Sequence, residues 1–139
     1  MPKSLNSQLI SMMFATKRAF LSSLPKDLSP MNFIQAEVMS FILNNKKTLS
    51  KDLAEHLNIT PPSATSLVDK LSKLGYIKRV PSKSDRRKVF LHVTPKGIVF
   101  IKEIYKISQK SAEKMFDLLN EEDKKNLLKI YKKILNNFS

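Results

Sequence analysis

Residues 60–97 read TPPSATSLVDKLSKLGYIKRVPSKSDRRKVFLHVTPKG, and this stretch decides the fold. Thr60 caps a helix whose first turn takes Pro61 and Pro62, where a missing N–H costs little. Ala64, Leu67, Val68, Leu71 and Leu74 then recur at helical spacing and give a single apolar stripe. Gly75 ends the helix in the left-handed conformation that glycine adopts most easily. From Tyr76 to Thr94 the period changes: Ile77, then Val89, Leu91 and Val93, alternate with polar neighbours as strands do. Between them Pro81-Ser82-Lys83-Ser84-Asp85-Arg86 forms a charged hairpin tip. Thr94-Pro95 opens the next helix with the same cap and proline.

Upstream, Ser50 to Leu57 reads as a short helix with Leu53, Ala54 and Leu57 inward. Asn58 breaks it and Ile59 fills the corner. Ser29-Pro30 starts an earlier helix running to about Asn44, with Phe33 or Ile34, Val38, Phe41 and Ile42 as its inner face. The outermost segments are amphipathic: about 5–24, stopped by Pro25, then about 95–119 and about 120–138. In the 95–119 helix, Ile98, Ile101, Ile104 or Tyr105, Ser108, Ala112, Met115 and Leu119 share one side. The expected fold class is mainly α with a two-stranded β-wing. A winged helix-turn-helix over about 30–94 is joined to N- and C-terminal dimerisation helices, in one domain over residues 1–139.

Charge points to the partner. The chain has 25 Lys and Arg against 12 Asp and Glu, a net +13. Residues 46–96 hold twelve of the basic residues and only Asp52, Glu55, Asp69 and Asp85 in opposition. Lysine-rich composition alone raises the isoelectric point without implying a partner. It does not explain why three of the four arginines, Arg79, Arg86 and Arg87, fall within nine residues. Such clustering is the footprint of a nucleic-acid-binding module.

Other chemistries find little support. With no cysteine the chain has no disulfide framework, thiolate metal site or thiol switch. Its two histidines, His56 and His92, read as exposed surface residues rather than ligands. There is no glycine-rich phosphate loop and no metal-ligand spacing, so an enzyme is not expected, nor is a cofactor or metal. No apolar run is long enough to span a bilayer. Polar residues interrupt the N-terminal stretch where a secretory signal would be apolar. A cytoplasmic protein with no membrane partner is expected.

Each part of the constellation has a physical task. With its stripe packed inward, the helix after Thr60 presents Ser63, Thr65, Ser66, Asp69, Lys70 and Lys73 to the DNA major groove, which admits a helix. Hydroxyls near its N-terminus suit bases and phosphates, and the helix dipole favours the phosphates there. Asp69 is the odd member, since an acid facing DNA is costly; it is expected to pair with a nearby basic residue. On the hairpin, Lys78, Arg79, Lys83, Arg86, Arg87 and Lys88 outnumber Asp85, and a cationic tip fits a narrow minor groove. Asp85 can orient a neighbouring arginine.

Three stretches together resemble the MarR family of bacterial winged helix-turn-helix transcriptional regulators. They are LSKDLAEHL at 49–57, LVDKLSKLGYIKR at 67–79 and SDRRKVFLHVTPKG at 84–97. The most specific piece is Asp85-Arg86-Arg87 followed by Thr94-x-x-Gly97. The resemblance implies a homodimer built from the terminal helices on double-stranded DNA, binding a pseudo-palindromic, inverted-repeat operator as a repressor. It implies that Asp85 and Arg87 are the wing pair, with Arg87 entering the minor groove, and that Arg79 lies at the base of the wing. It also implies, in many members, release by a small apolar or phenolic effector. Ser66 stands where many relatives carry arginine, which alters direct base readout, and Lys70 replaces another frequent arginine, which loses bidentate recognition of guanine. The rival reading is a non-specific architectural protein that coats nucleic acid through charge.

Overall fold

The structure, a computed structural model, describes residues 4–138. Among the described residues, six helices and two strands follow in the order α1 (Leu5–Ser23), α2 (Pro30–Asn44), α3 (Ser50–Leu57), α4 (Pro61–Lys73), β1 (Ile77–Pro81), β2 (Val89–Val93), α5 (Pro95–Phe116) and α6 (Glu121–Asn137). This is the mainly α architecture with a β-wing that the sequence predicts. Among the described residues two compact units form: residues 26–106, and residues 4–25 with 107–138. No helix among the described residues is long and apolar enough to cross a membrane.

The unit of residues 26–106 owes its shape to local punctuation. Ser29 opens α2, its N–H donating to Asn32 Oδ1 at 2.8 Å. Asp52 reaches back to accept the Leu49 N–H at 2.7 Å, satisfying a free donor at the start of α3. Asn58 turns the corner to α4 in the left-handed region, φ 53°, a conformation asparagine tolerates better than most residues. Thr60 Oγ1 accepts the Ser63 N–H at 3.3 Å, and the two prolines occupy the first turn as expected. Gly75 follows α4 with φ +79°.

Val38, Met39, Ile42, Leu53, Val68, Leu71, Ile77, Leu91 and Ile101 form one core, with contributions from α2, α3, α4, both strands and α5. Met39 is fully buried, whereas Phe41 is only partly so and Ile34 is 42% exposed. The inner face of α2 is thus rotated toward Met39 relative to the expected one. On α5, Ile104 is buried, and the exposed Tyr105 meets the Ser40 hydroxyl at 2.9 Å. The helix ends at Phe116, three residues before the expected Leu119.

The strands pair antiparallel, Ile77 with Val93 through Pro81 with Val89. Thr48, outside the sheet, adds one more backbone bond to β2, its carbonyl accepting from Leu91 N at 2.9 Å. The wing is rooted by the Thr-Pro-Lys-Gly segment that follows it. Thr94 N donates to the Tyr76 carbonyl at 2.9 Å, and Lys96 Nζ to the Leu74 carbonyl at 2.9 Å. A Cβ on Gly97 would lie 2.3 Å from that same Tyr76 oxygen and 2.7 Å from Val93 Cγ1, so only glycine fits there.

In the unit formed by the two chain ends, Asn120 caps α6 by accepting the Asp123 N–H at 2.8 Å, and three acids fill the first turn. Neither α1 nor α6 buries a single residue. Leu9, Met12 and Phe14 of α1 and Leu128, Tyr131 and Ile134 of α6 are all about half exposed.

Candidate nucleic-acid interface

The site is built from the exposed face of α4 and the wing. Because Ala64, Val68 and Leu71 are buried, Ser63, Thr65, Ser66, Asp69, Lys70 and Lys73 stand on the opposite side, all exposed. The first two hydroxyls already work within the helix end. Thr65 Oγ1 donates to the Pro61 carbonyl at 3.1 Å, and Ser63 Oγ accepts from Thr60 Oγ1 at 2.9 Å. With its proton committed, Thr65 faces outward as an acceptor. Lys70 and Lys73 take part in no ion pair among the described residues, so their charge is available to a polyanion.

Asp69 finds the expected basic partner, and that partner is Arg79 of β1. Arg79 Nη2 donates to Asp69 Oδ1, while Nη1 lies 3.4 Å from the Ser72 hydroxyl. Both charged side chains are about half exposed, so the pair contributes at most about 1 kcal/mol to folding. Its larger effect is geometric, because it ties the first wing strand to the middle of α4.

At the tip, the chain folds around Asp85 and Ser82. Ser82 Oγ accepts the N–H groups of Ser84 (3.3 Å) and Asp85 (3.2 Å), and Asp85 O accepts from Lys88 N at 3.0 Å. Asp85 Oδ1 in turn accepts Arg87 N at 3.0 Å and Arg87 Nε at 3.4 Å. Asp85 therefore sets the backbone and aims the guanidinium, whose side chain remains 92% exposed. Lys83, Arg86 and Lys88 project around it, also exposed. The bonds that hold Arg87 come from the tip itself, through Asp85.

The structure thus gathers Arg79, Asp69 and Ser72 in one cluster and Lys83, Asp85, Arg86 and Arg87 in another. The hydroxyls and lysines of α4 lie on one helix face. Sequence reasoning missed the bracing residues Ser72 and Ser82, though a serine beside a Pro-rich turn is a local signal for the second. It also missed Thr48 and the rooting role of Gly97. His56, read as a surface residue, stacks on Phe41 with ring centroids 4.1 Å apart. No group of three or more His, Cys, Asp or Glu among the described residues could hold a metal ion.

A helix pair turning on a tight corner, followed by a rooted two-stranded hairpin with a cationic tip, defines a winged helix-turn-helix protein. Residues 27–88 match the MarR family model, so this segment resembles that family. The chain is similar to the HTH-type transcriptional regulator YfiV of Bacillus subtilis, with 32% identity over 95 residues, 68% of this chain and 59% of that protein. A second relative, YwhA of the same organism, is 24% identical over 130 residues, 94% of this chain and 91% of that one. The transcriptional repressor MprA of Escherichia coli is 30% identical over 91 residues, and the match spans 52% of its length. This chain thus spans little more than half of YfiV and MprA.

Solved structures share the fold. Apo MarR from E. coli superposes with a TM-score of 0.75 at 22% identity, covering 97% of this chain and 99% of that one. MepR of S. aureus in complex with DNA gives 0.69 at 17% identity, covering 98% and 100%.

Proposed function

We propose that this protein is a sequence-specific, double-stranded DNA-binding transcriptional regulator. In this reading it is a repressor that acts as a homodimer on an inverted-repeat operator and is released by a small apolar or phenolic effector. The observation that carries the reading is Arg87, braced by Asp85 yet 92% exposed. A guanidinium held out on a preorganised tip suits the negative potential of a minor groove, and its binding requires little further ordering. Ser63, Thr65, Ser66, Lys70 and Lys73 then face the neighbouring major groove. Lys83 and Arg86 meet phosphates, and Arg79 stays at the base of the wing. The name of MprA, a transcriptional repressor, and the DNA bound to MepR support the same direction.

The homodimer rests on α1 and α6, where Leu9, Met12, Phe14, Leu128, Tyr131 and Ile134 are each about half exposed. Contiguous apolar surface on a soluble protein marks an association site, and a second copy supplies a matching face. A twofold dimer presents two α4 helices to successive major grooves about 34 Å apart, so its preferred site is a repeat of opposite orientation. An effector that favours another separation of the two helices would release the operator.

The test is selection of duplexes from a random pool, followed by titration at fixed salt. The expected result is enrichment of an inverted repeat that binds about 10³-fold or more tighter than random duplex. Equal affinity for both would leave the architectural coating protein as the better account.

A further inference from the structure

We propose that Asp69 is a specificity-determining residue: its carboxylate restrains Arg79 and suppresses binding to DNA of arbitrary sequence. This deepens the DNA-binding reading above and rests on it. Asp69 is the one acid in the sequence of α4. It follows Thr65 by four residues and Ser66 by three, and precedes Lys73 by four, so it sits in the middle of the exposed face. Its side chain is 52% exposed. A surface pair of this kind adds little to folding, so stability alone does not account for an acid at the centre of a basic surface.

Two consequences follow for DNA. A negative charge on the reading face is repelled by phosphates, which dominate non-specific binding. It is tolerated over a groove floor that offers an amino donor such as cytosine N4. Arg79, meanwhile, carries five N–H donors that could clamp any phosphate. Asp69 and Ser72 hold that guanidinium against α4. The pair therefore weakens random contacts more than contacts with a chosen site.

The experiment compares wild type with Asp69→Asn, Asp69→Glu and the double variant Asp69→Asn/Arg79→Ala. Each is titrated over a range of salt with a random-sequence duplex and with a duplex selected by wild type from a random pool. Asp69→Asn should bind random duplex about tenfold tighter, with the slope of log K against log salt steeper by about 0.9, the signature of one added phosphate contact. The ratio of selected to random affinity should fall about tenfold, since the gain comes mainly on random DNA. The double variant should return to the wild-type slope, and Asp69→Glu should keep the wild-type ratio to within about threefold because it preserves the charge. An unchanged random-duplex slope in Asp69→Asn, or an unchanged ratio, overturns the proposal. A wild type that selects no preferred duplex overturns the underlying DNA-binding reading itself, and that result is obtained before any variant is made.

Discussion

The hydroxyl of Thr94 donates to the carbonyl of Gly75 at 2.6 Å across nineteen residues of chain. The same oxygen accepts the Gly97 N–H at 3.2 Å. One side chain thus closes the C-terminal end of α4 and caps the first turn of α5, with the whole wing looped out between the two contacts. Thr94→Val keeps the shape but removes both bonds. Loss of a cap and of a partner for a half-buried carbonyl should lower stability by about 1–2 kcal/mol in urea unfolding.

Gly97→Ala should be worse than a helix-propensity scale suggests. Alanine is normally the better helix former, yet its Cβ here would meet the Tyr76 carbonyl at 2.3 Å. Backbone cannot swing aside like a side chain, so a loss of about 1–3 kcal/mol is expected, read as a lower denaturation midpoint. A gain in stability would show that the close approach is not held in solution.

Arg87→Ala should separate binding from folding. The side chain is 92% exposed and pairs with Asp85 two residues away, so the thermal midpoint should stay within about 1 °C. Affinity for a selected duplex should fall at least tenfold at matched salt, the scale of about 1–3 kcal/mol for one good groove contact. Retained affinity would remove Arg87 from the interface.

The terminal helices make a prediction about assembly. Leu128 and Ile134 lie on α6, each about half exposed. Placing a charge there, as in Leu128→Asp or Ile134→Asp, should convert a dimer to a monomer in sedimentation velocity while the helical content of residues 26–106 persists. Wild-type protein that sediments as a monomer at micromolar concentration would count against the homodimer.

Much of this arrangement was legible before any coordinates, for a physical reason. Caps, prolines and short apolar stripes act over a few residues, so Ser29, Thr60, Gly75 and Asn120 each mark a boundary that the fold respects. The cationic tip was equally visible, because Lys83, Asp85, Arg86 and Arg87 lie within five residues and Asp85 braces Arg87 locally. Features that depend on distant partners were hidden. The bond from Leu91 N to the Thr48 carbonyl joins segments that share no pattern. Choosing Met39 over Phe41 for the core depends on how α2 is rotated against its neighbours, which periodicity fixes only to within about one position. A basic partner for Asp69 was foreseeable, but Arg79, ten residues on, was one cation among several.

The wing tip also has a practical use. Lys83, Arg86, Arg87 and Lys88 are all exposed, and each is a point of attack for trypsin. Digestion of the free protein should cut first in this segment, and a bound duplex that covers it should delay the cleavage. The rate of that single nick would report occupancy of the wing in a crude mixture, with no label on protein or DNA.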